Sequence, residues 1–166
     1  MRVLGIDPGV ATMGYGVVER AGSKPRALAF GVIRTSAGET QARRLMALRD
    51  ALGEIMRRHR PEEVAVERLF FTSNAKTAMA VGQASGVALA TAAEAGLAVS
   101  DYTPNEVKQS VVGFGGASKA QVQVMVAAVL GLAEPPRPPD AADACALAIC
   151  HLNRSGLRAA VGRAAP

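Results

Sequence analysis

Short apolar runs and longer segments of helical spacing follow one another along the chain. Residues 3–7, VLGID, are an apolar run that ends in an acid and meets a Pro8-Gly9 turn. Residues 12–19 and 27–34 read as two further strands, with AGSKP between them as a hairpin connection, so the first three strands form an antiparallel meander. Leu45, Leu48, Leu52, Ile55 and Met56 then recur at helical spacing, and Arg43, Arg44, Asp50, Glu54, Arg57 and Arg58 take the opposite face. Pro61 ends that helix. VAVE at 64–67 is a fourth strand, again closing on an acid.

A long helix over about 74–95 follows, with Ser73 or Asn74 as its N-cap, and then a fifth strand at 97–102. Thr103-Pro104 opens a helix with proline at its first position. After the GFGG loop at 113–116, Ser118 caps a helix that runs to about residue 131. The proline-rich EPPRPPD leads into a last helix over about 140–154. The order β-β-β-α-β-α-β-α-α-α, without an internal repeat or dividing linker, predicts one α/β domain over 1–155 with a mixed five-stranded sheet. Residues 156–166 hold Arg158 and Arg163 but no acid, and are expected to be a disordered basic tail.

Composition narrows the class. At 166 residues, 49% hydrophobic and 20% charged, the chain can bury a core without help from a disulfide or a metal, and disorder is excluded except at the ends. Cys145 and Cys150 lie too close on one helix to form a disulfide framework and read as inert buried thiols in a reducing compartment. His59 and His151 follow core-facing helical segments and are expected to be structural. The stretch from Thr77 to Ala93 is uncharged, but alanine dominates it and Thr77, Gln83, Ser85 and Thr91 interrupt it; a buried helix is expected, not a membrane span. MRVLGID has no apolar export segment, which points to the cytoplasm.

Charge brings the first functional hint. A net charge of +5 and a pI near 9.8 favour a polyanionic partner, with nucleic acid the likeliest large one. The lysines are Lys24, Lys76, Lys108 and Lys119; arginine supplies the rest of the nineteen cations.

Against this basic background stand four acids. Asp7 and Glu67 each close an apolar strand, and ligand sites in α/β sheets gather at such ends. If strands one and four are neighbours, both carboxylates enter one crevice. Asp140 and Asp143 lie one turn apart on one face of the last helix. Helix capping would account for this last pair alone. Four converging carboxylates without an arginine for each, and without His or Cys among them, form an all-oxygen donor set suited to Mg²⁺ or Mn²⁺ and unsuited to zinc. Two such ions about 3.5–4 Å apart serve in-line attack on a phosphodiester.

The motifs GIDPG (5–9), VERLFF (66–71) followed by SNAKTA, PNEVKQSVVGFGGASKAQVQVMV (104–126) and DAADACALAICH (140–151) together resemble the RuvC family of bacterial Holliday-junction resolvases, the crossover junction endodeoxyribonucleases. The resemblance covers about residues 1–155. It implies a ribonuclease H-like fold and two divalent ions, Mg²⁺ or Mn²⁺, on Asp7, Glu67, Asp140 and Asp143. Lys108 and Lys119 would contact phosphate near the scissile bond, Lys119 with a catalytic role. Phe70 would stack on a base at the opened crossover, with Phe71 beside it as the alternative ring, and Asn74 and Lys76 are further candidate DNA contacts. The family acts as homodimers that nick two symmetric strands of a four-way DNA junction, beside the RuvA–RuvB branch-migration machine.

The residues agree independently. Lysine is a compact point charge suited to phosphate, and an exposed aromatic after a strand end can stack on an unpaired base. Ala78, Gly82, Gly86 and Ala90 form a small-residue stripe on the long helix, open either to the domain's own sheet or to a two-fold dimer contact. A ribonuclease H relative and a non-catalytic junction binder are the competing readings. GIDPGVATMGYGVV also resembles the first phosphate loop of actin-like ATPases, but the second D-x-G loop of that class does not occur.

Overall fold

The computed structural model describes residues 1–22, 24–68 and 75–164, with side chains in all of these except 75–76 and 157–164. Five strands form one sheet: β1 (Arg2–Asp7), β2 (Thr12–Arg20), β3 (Pro25–Arg34), β4 (Glu63–Glu67) and β5 (Ala98–Tyr102). The helices are α1 (Gln41–His59), α2 (Ala75–Glu94), α3 (Pro104–Val112), α4 (Lys119–Leu130) and α5 (Pro139–Ala164). The spatial order is β3-β2-β1-β4-β5. The β1–β2 and β2–β3 pairs are antiparallel; β1–β4 and β4–β5 are parallel. This is the mixed five-stranded sheet that the sequence predicts.

The alternation of β1 explains why both faces are covered. Val3 faces a core built with α3, α4 and α5, where Val107, Val126 and Ile149 are buried; Leu4 and Ile6 face the other side, against Leu48 and Leu52 of α1 and Ala84 and Ala88 of α2. Caps fix the helix starts. Thr40 accepts the Arg43 N–H, and both Thr103 and Ser118 form reciprocal capping boxes, with Glu106 and Gln121.

One expectation is corrected and one open alternative is narrowed. The last helix does not stop near residue 154, and the segment expected to be a disordered tail is helical backbone as far as Ala164. No proline interrupts 155–164, so nothing there breaks the hydrogen-bond ladder. On α2 the stripe that meets the sheet is Ala84, Ala88 and Ala92, while Gly86 and Ala90 face solvent. Ser73 and Asn74, expected as the α2 cap, lie outside the described residues. Among the described residues no helix is long and apolar enough to cross a membrane.

Candidate active site

Parallel pairing of β1 with β4 brings Asp7 and Glu67, each the last residue of its strand, to the same edge of the sheet. The Arg68 backbone N–H donates to the Tyr102 carbonyl at 2.8 Å, which carries the β4–β5 pairing past Glu67 and holds its position. The Arg68 guanidinium pairs with Asp101, so this arginine is committed to β5. Asp140 and Asp143 come from the first turns of α5, which lies across β1 and β2.

Three glycines make that seating possible. A Cβ on Gly14 would stand 2.6 Å from the Asp140 carbonyl carbon. One on Gly16 would stand 2.7 Å from the Cys145 sulfur, and one on Gly5 2.9 Å from the Ala148 nitrogen. Gly14 pairs with Asp7 in the β1–β2 register, so the backbone beneath Asp140 is the direct neighbour of Asp7. The sequence reading missed this. Its signal was present: GYG in β2 puts two glycines on one face of a strand, a mark of close backbone approach.

The electrostatics follow from this crowding. Burial, then the neighbouring Glu67, Asp143 and Asp140, push the Asp7 carboxyl up to about 7, against the opposing pull of Lys119. Burial and then Asp143 likewise raise Glu67. Lys119, the first residue of α4, places Nζ 2.6 Å from Asp143 Oδ2, and this bond is the main cause that holds its ammonium above the ordinary range. A cleft of about 230 Å³ beside the acids is lined by Glu67, Asp143, Lys108 and Lys119, with Pro104 and Val107 as its apolar wall.

The structure thus gathers six of the residues singled out by sequence: Asp7, Glu67, Asp140, Asp143, Lys108 and Lys119. No three described Asp, Glu, His or Cys side chains close to within ligand distance of one point. The chemistry of the carboxylates fits a hard divalent cation nonetheless: all the donors are oxygens, they are partly buried, and burial together with their shared negative charge raises the Asp7 carboxyl. Phe70, Phe71 and Asn74 lie outside the described residues, as does the side chain of Lys76.

A family profile described as "Crossover junction endodeoxyribonuclease RuvC" matches residues 3–151. A protein of that name from Moorella thermoacetica is 57% identical over 153 residues, 92% of each chain. The chain belongs to the RuvC family. The solved structure of Thermus thermophilus RuvC superimposes with a TM-score of 0.88 at 42% identity, covering 95% of this chain and 96% of that one. The structure of T. thermophilus RuvC in complex with a Holliday junction substrate gives 0.87 at 40% identity, over the same shares. The expected ribonuclease H-like fold is the one observed.

The two histidines and two cysteines of this RuvC family member stand apart from the acids. His151 is buried, with Nδ1 2.8 Å from the Tyr102 hydroxyl and Nε2 2.8 Å from Glu63 Oε2, tying α5 to β5 and β4. His59 ends α1, at the opposite sheet edge from the acids, and its backbone carbonyl accepts from the Arg2 guanidinium. Burial pushes the Cys145 thiol up to about 12 and raises Cys150, so both are inert.

Proposed function

We propose that this chain is a divalent-metal-dependent endodeoxyribonuclease that resolves four-way DNA junctions by paired symmetric nicks, in homologous recombination and DNA repair. The observation that carries this reading is the convergence of Asp7, Glu67, Asp140 and Asp143, from β1, β4 and α5, beside two lysines on one cleft. The junction complex of the T. thermophilus relative supports the choice of substrate.

Asp7, Glu67, Asp140 and Asp143 would hold two ions, Mg²⁺ or Mn²⁺. Such ions supply charge neutralisation at the phosphodiester and acidify the attacking water. Asp7, which burial and the charges of Glu67, Asp143 and Asp140 all act on, would be the central ligand of the cluster and would bind an ion in its deprotonated form. Lys119 holds Asp143 in place and sets a positive charge at the cleft where negative charge develops. Lys108 lines the same cleft and contacts phosphate. Phe70, with Phe71 beside it, supplies the ring for the opened crossover, and Asn74 and Lys76 add DNA contacts.

The working unit is a homodimer. Gly86 and Ala90 face solvent on α2 beside the exposed Met79 and Leu89, which lets a second helix approach closely. Its place is the cytoplasm, beside the RuvA–RuvB branch-migration machine.

The test is a labelled four-way junction with a mobile core, incubated with Mg²⁺, Mn²⁺ or EDTA. Symmetric paired nicks that need metal and vanish in Asp7→Asn, while junction binding persists, are the expected result. Binding without nicks in either metal would establish the non-catalytic reading. Equal action on linear duplex would sink the junction assignment.

A further inference from the structure

The loop from Gly113 to Ser118 carries a ring that the catalytic reading leaves unused. Phe114 is 64% exposed, although it lies between two helices that are both packed into the core. The loop is tied at both ends. Gly113 adopts the left-handed conformation with φ 82°, its N–H donates to the Gln109 carbonyl, and its own carbonyl accepts from Gln109 Nε2 at 2.9 Å. The Ala117 N–H donates to the Phe114 carbonyl at 3.2 Å, and Ser118 begins α4 with its capping box.

Two glycines fix where the ring goes. A Cβ on Gly115 would collide with the Asn105 side-chain oxygen and stand 3.1 Å from its Cγ, so the loop folds back on the first turn of α3. Pro104, the neighbour of Asn105, lines the cleft beside the acids. A Cβ on Gly116 would stand 2.6 Å from Phe114 Cζ, so the far edge of the ring lies over bare backbone. Lys119, paired with Asp143, follows the loop directly. The loop that carries the exposed ring thus packs on Asn105, next to Pro104 of the cleft wall, and runs directly into Lys119 of its lining.

An exposed phenyl ring on a tied loop offers a flat apolar face for stacking. Within α3, this loop and the first turn of α4 it is the only exposed large apolar side chain among the described residues, so it makes no patch of the kind a protein partner covers. The cleft that Pro104 lines also holds the phosphate-binding candidates Lys108 and Lys119. A single flat apolar surface beside cations matches a nucleobase on its phosphate backbone.

We propose that Phe114 is a base-stacking residue, distinct from the ring after β4, that takes one face of a nucleobase on the strand entering the cleft. It rests on the nuclease reading, and orients that strand so that the scissile phosphate meets the acids.

The test uses junctions with 2-aminopurine at successive positions around the nick site, bound to Asp7→Asn so that no cutting occurs. One position shows quenched fluorescence when Phe114 is present. That quenching is lost in Phe114→Ala and Phe114→Leu and kept in Phe114→Tyr, and junction affinity falls about tenfold in the first two. Quenching that survives Phe114→Leu, or affinity unchanged in Phe114→Ala, overturns the proposal, as does a sedimentation shift that shows Phe114→Ala breaking the dimer. Nicking by the native chain reports on the nuclease reading separately, so failure of one is not failure of the other.

Discussion

Gly14→Ala tests how the acids are held together. A Cβ at this position would run into the Asp140 carbonyl oxygen, stand 2.6 Å from its carbon and lie 3.2 Å from Asp140 Cβ. The obstacle is helix backbone and cannot rotate away, so reaching ordinary van der Waals contact needs a retreat of the α5 start by about 1 Å. Further along, α5 is seated on Gly5 and Gly16 and anchored by His151, so the helix tilts at its first turns, where Asp140 and Asp143 sit. The overpacking costs about 1–3 kcal/mol of stability. A displacement of about 1 Å at reacting groups costs on the order of 10²-fold in rate. Gly14→Ala is therefore expected to bind junction like the native chain in EDTA, melt cooperatively, bind Mg²⁺ more weakly by calorimetry, and nick about 100-fold more slowly in Mg²⁺. Mn²⁺ should recover part of the rate, because Mg²⁺ demands the more nearly ideal octahedron. Native nicking in Mg²⁺ would refute the reasoning. So would loss of junction binding and cooperative melting together with activity, which would make Gly14 a folding residue only.

Further outcomes follow from single residues. Asp7 has its carboxyl pushed from 3.8 to about 7, so between those values the folded chain binds more protons than the unfolded one and metal-free stability falls as pH rises. Asp7→Asn should then be more stable than the native chain in EDTA at pH 8, on the order of 2–4 kcal/mol, with the gain fading towards pH 4; urea unfolding at three pH values measures it. Equal stability at pH 8 would show that Asp7 is not the strained carboxylate. Gly53 lies inside α1, and a Cβ there meets no atom within 4 Å, so Gly53→Ala should add about 0.5–1 kcal/mol and raise the melting temperature by about 2–4 °C at most. His151→Leu removes the buried imidazole that bridges the Tyr102 hydroxyl and the Glu63 carboxylate and should cost about 2–4 kcal/mol by urea unfolding; a double-mutant cycle with Tyr102→Phe should then show coupling of about 0.5–3 kcal/mol.

Much of this protein is legible in its amino-acid order because the signals involved act within one element. Apolar residues at helical spacing from Leu45 to Met56 marked α1, Ser118 announced α4, and acids closing apolar strands marked Asp7 and Glu67 as unusual. The motif segments, each a few residues long and in fixed order, marked the family. Where a local signal lacks contrast the reading slips. On α2, alanine and glycine occupy every side, so periodicity could not tell the sheet-facing stripe of Ala84, Ala88 and Ala92 from the solvent-facing Gly86 and Ala90. The end of α5 went astray for a related reason: no proline breaks the chain between 154 and Ala164, and the helix runs through Gly156 and Gly162.

The sequence by itself determined which residues can do the chemistry: four oxygen donors and two lysines in a basic chain. Tertiary structure alone decided that they meet. Pairing of β1 with β4 joins segments separated by α1 and two strands, and the choice depends on which sheet order buries both faces at once. The distance from Asp140 to Asp7 is set by glycine backbone under a helix more than a hundred residues later in the chain. The proton on Asp7 and the Lys119–Asp143 pair exist only once that packing removes water from the acids. Such properties arise from distance and dielectric, which the amino-acid order specifies only through the folded whole.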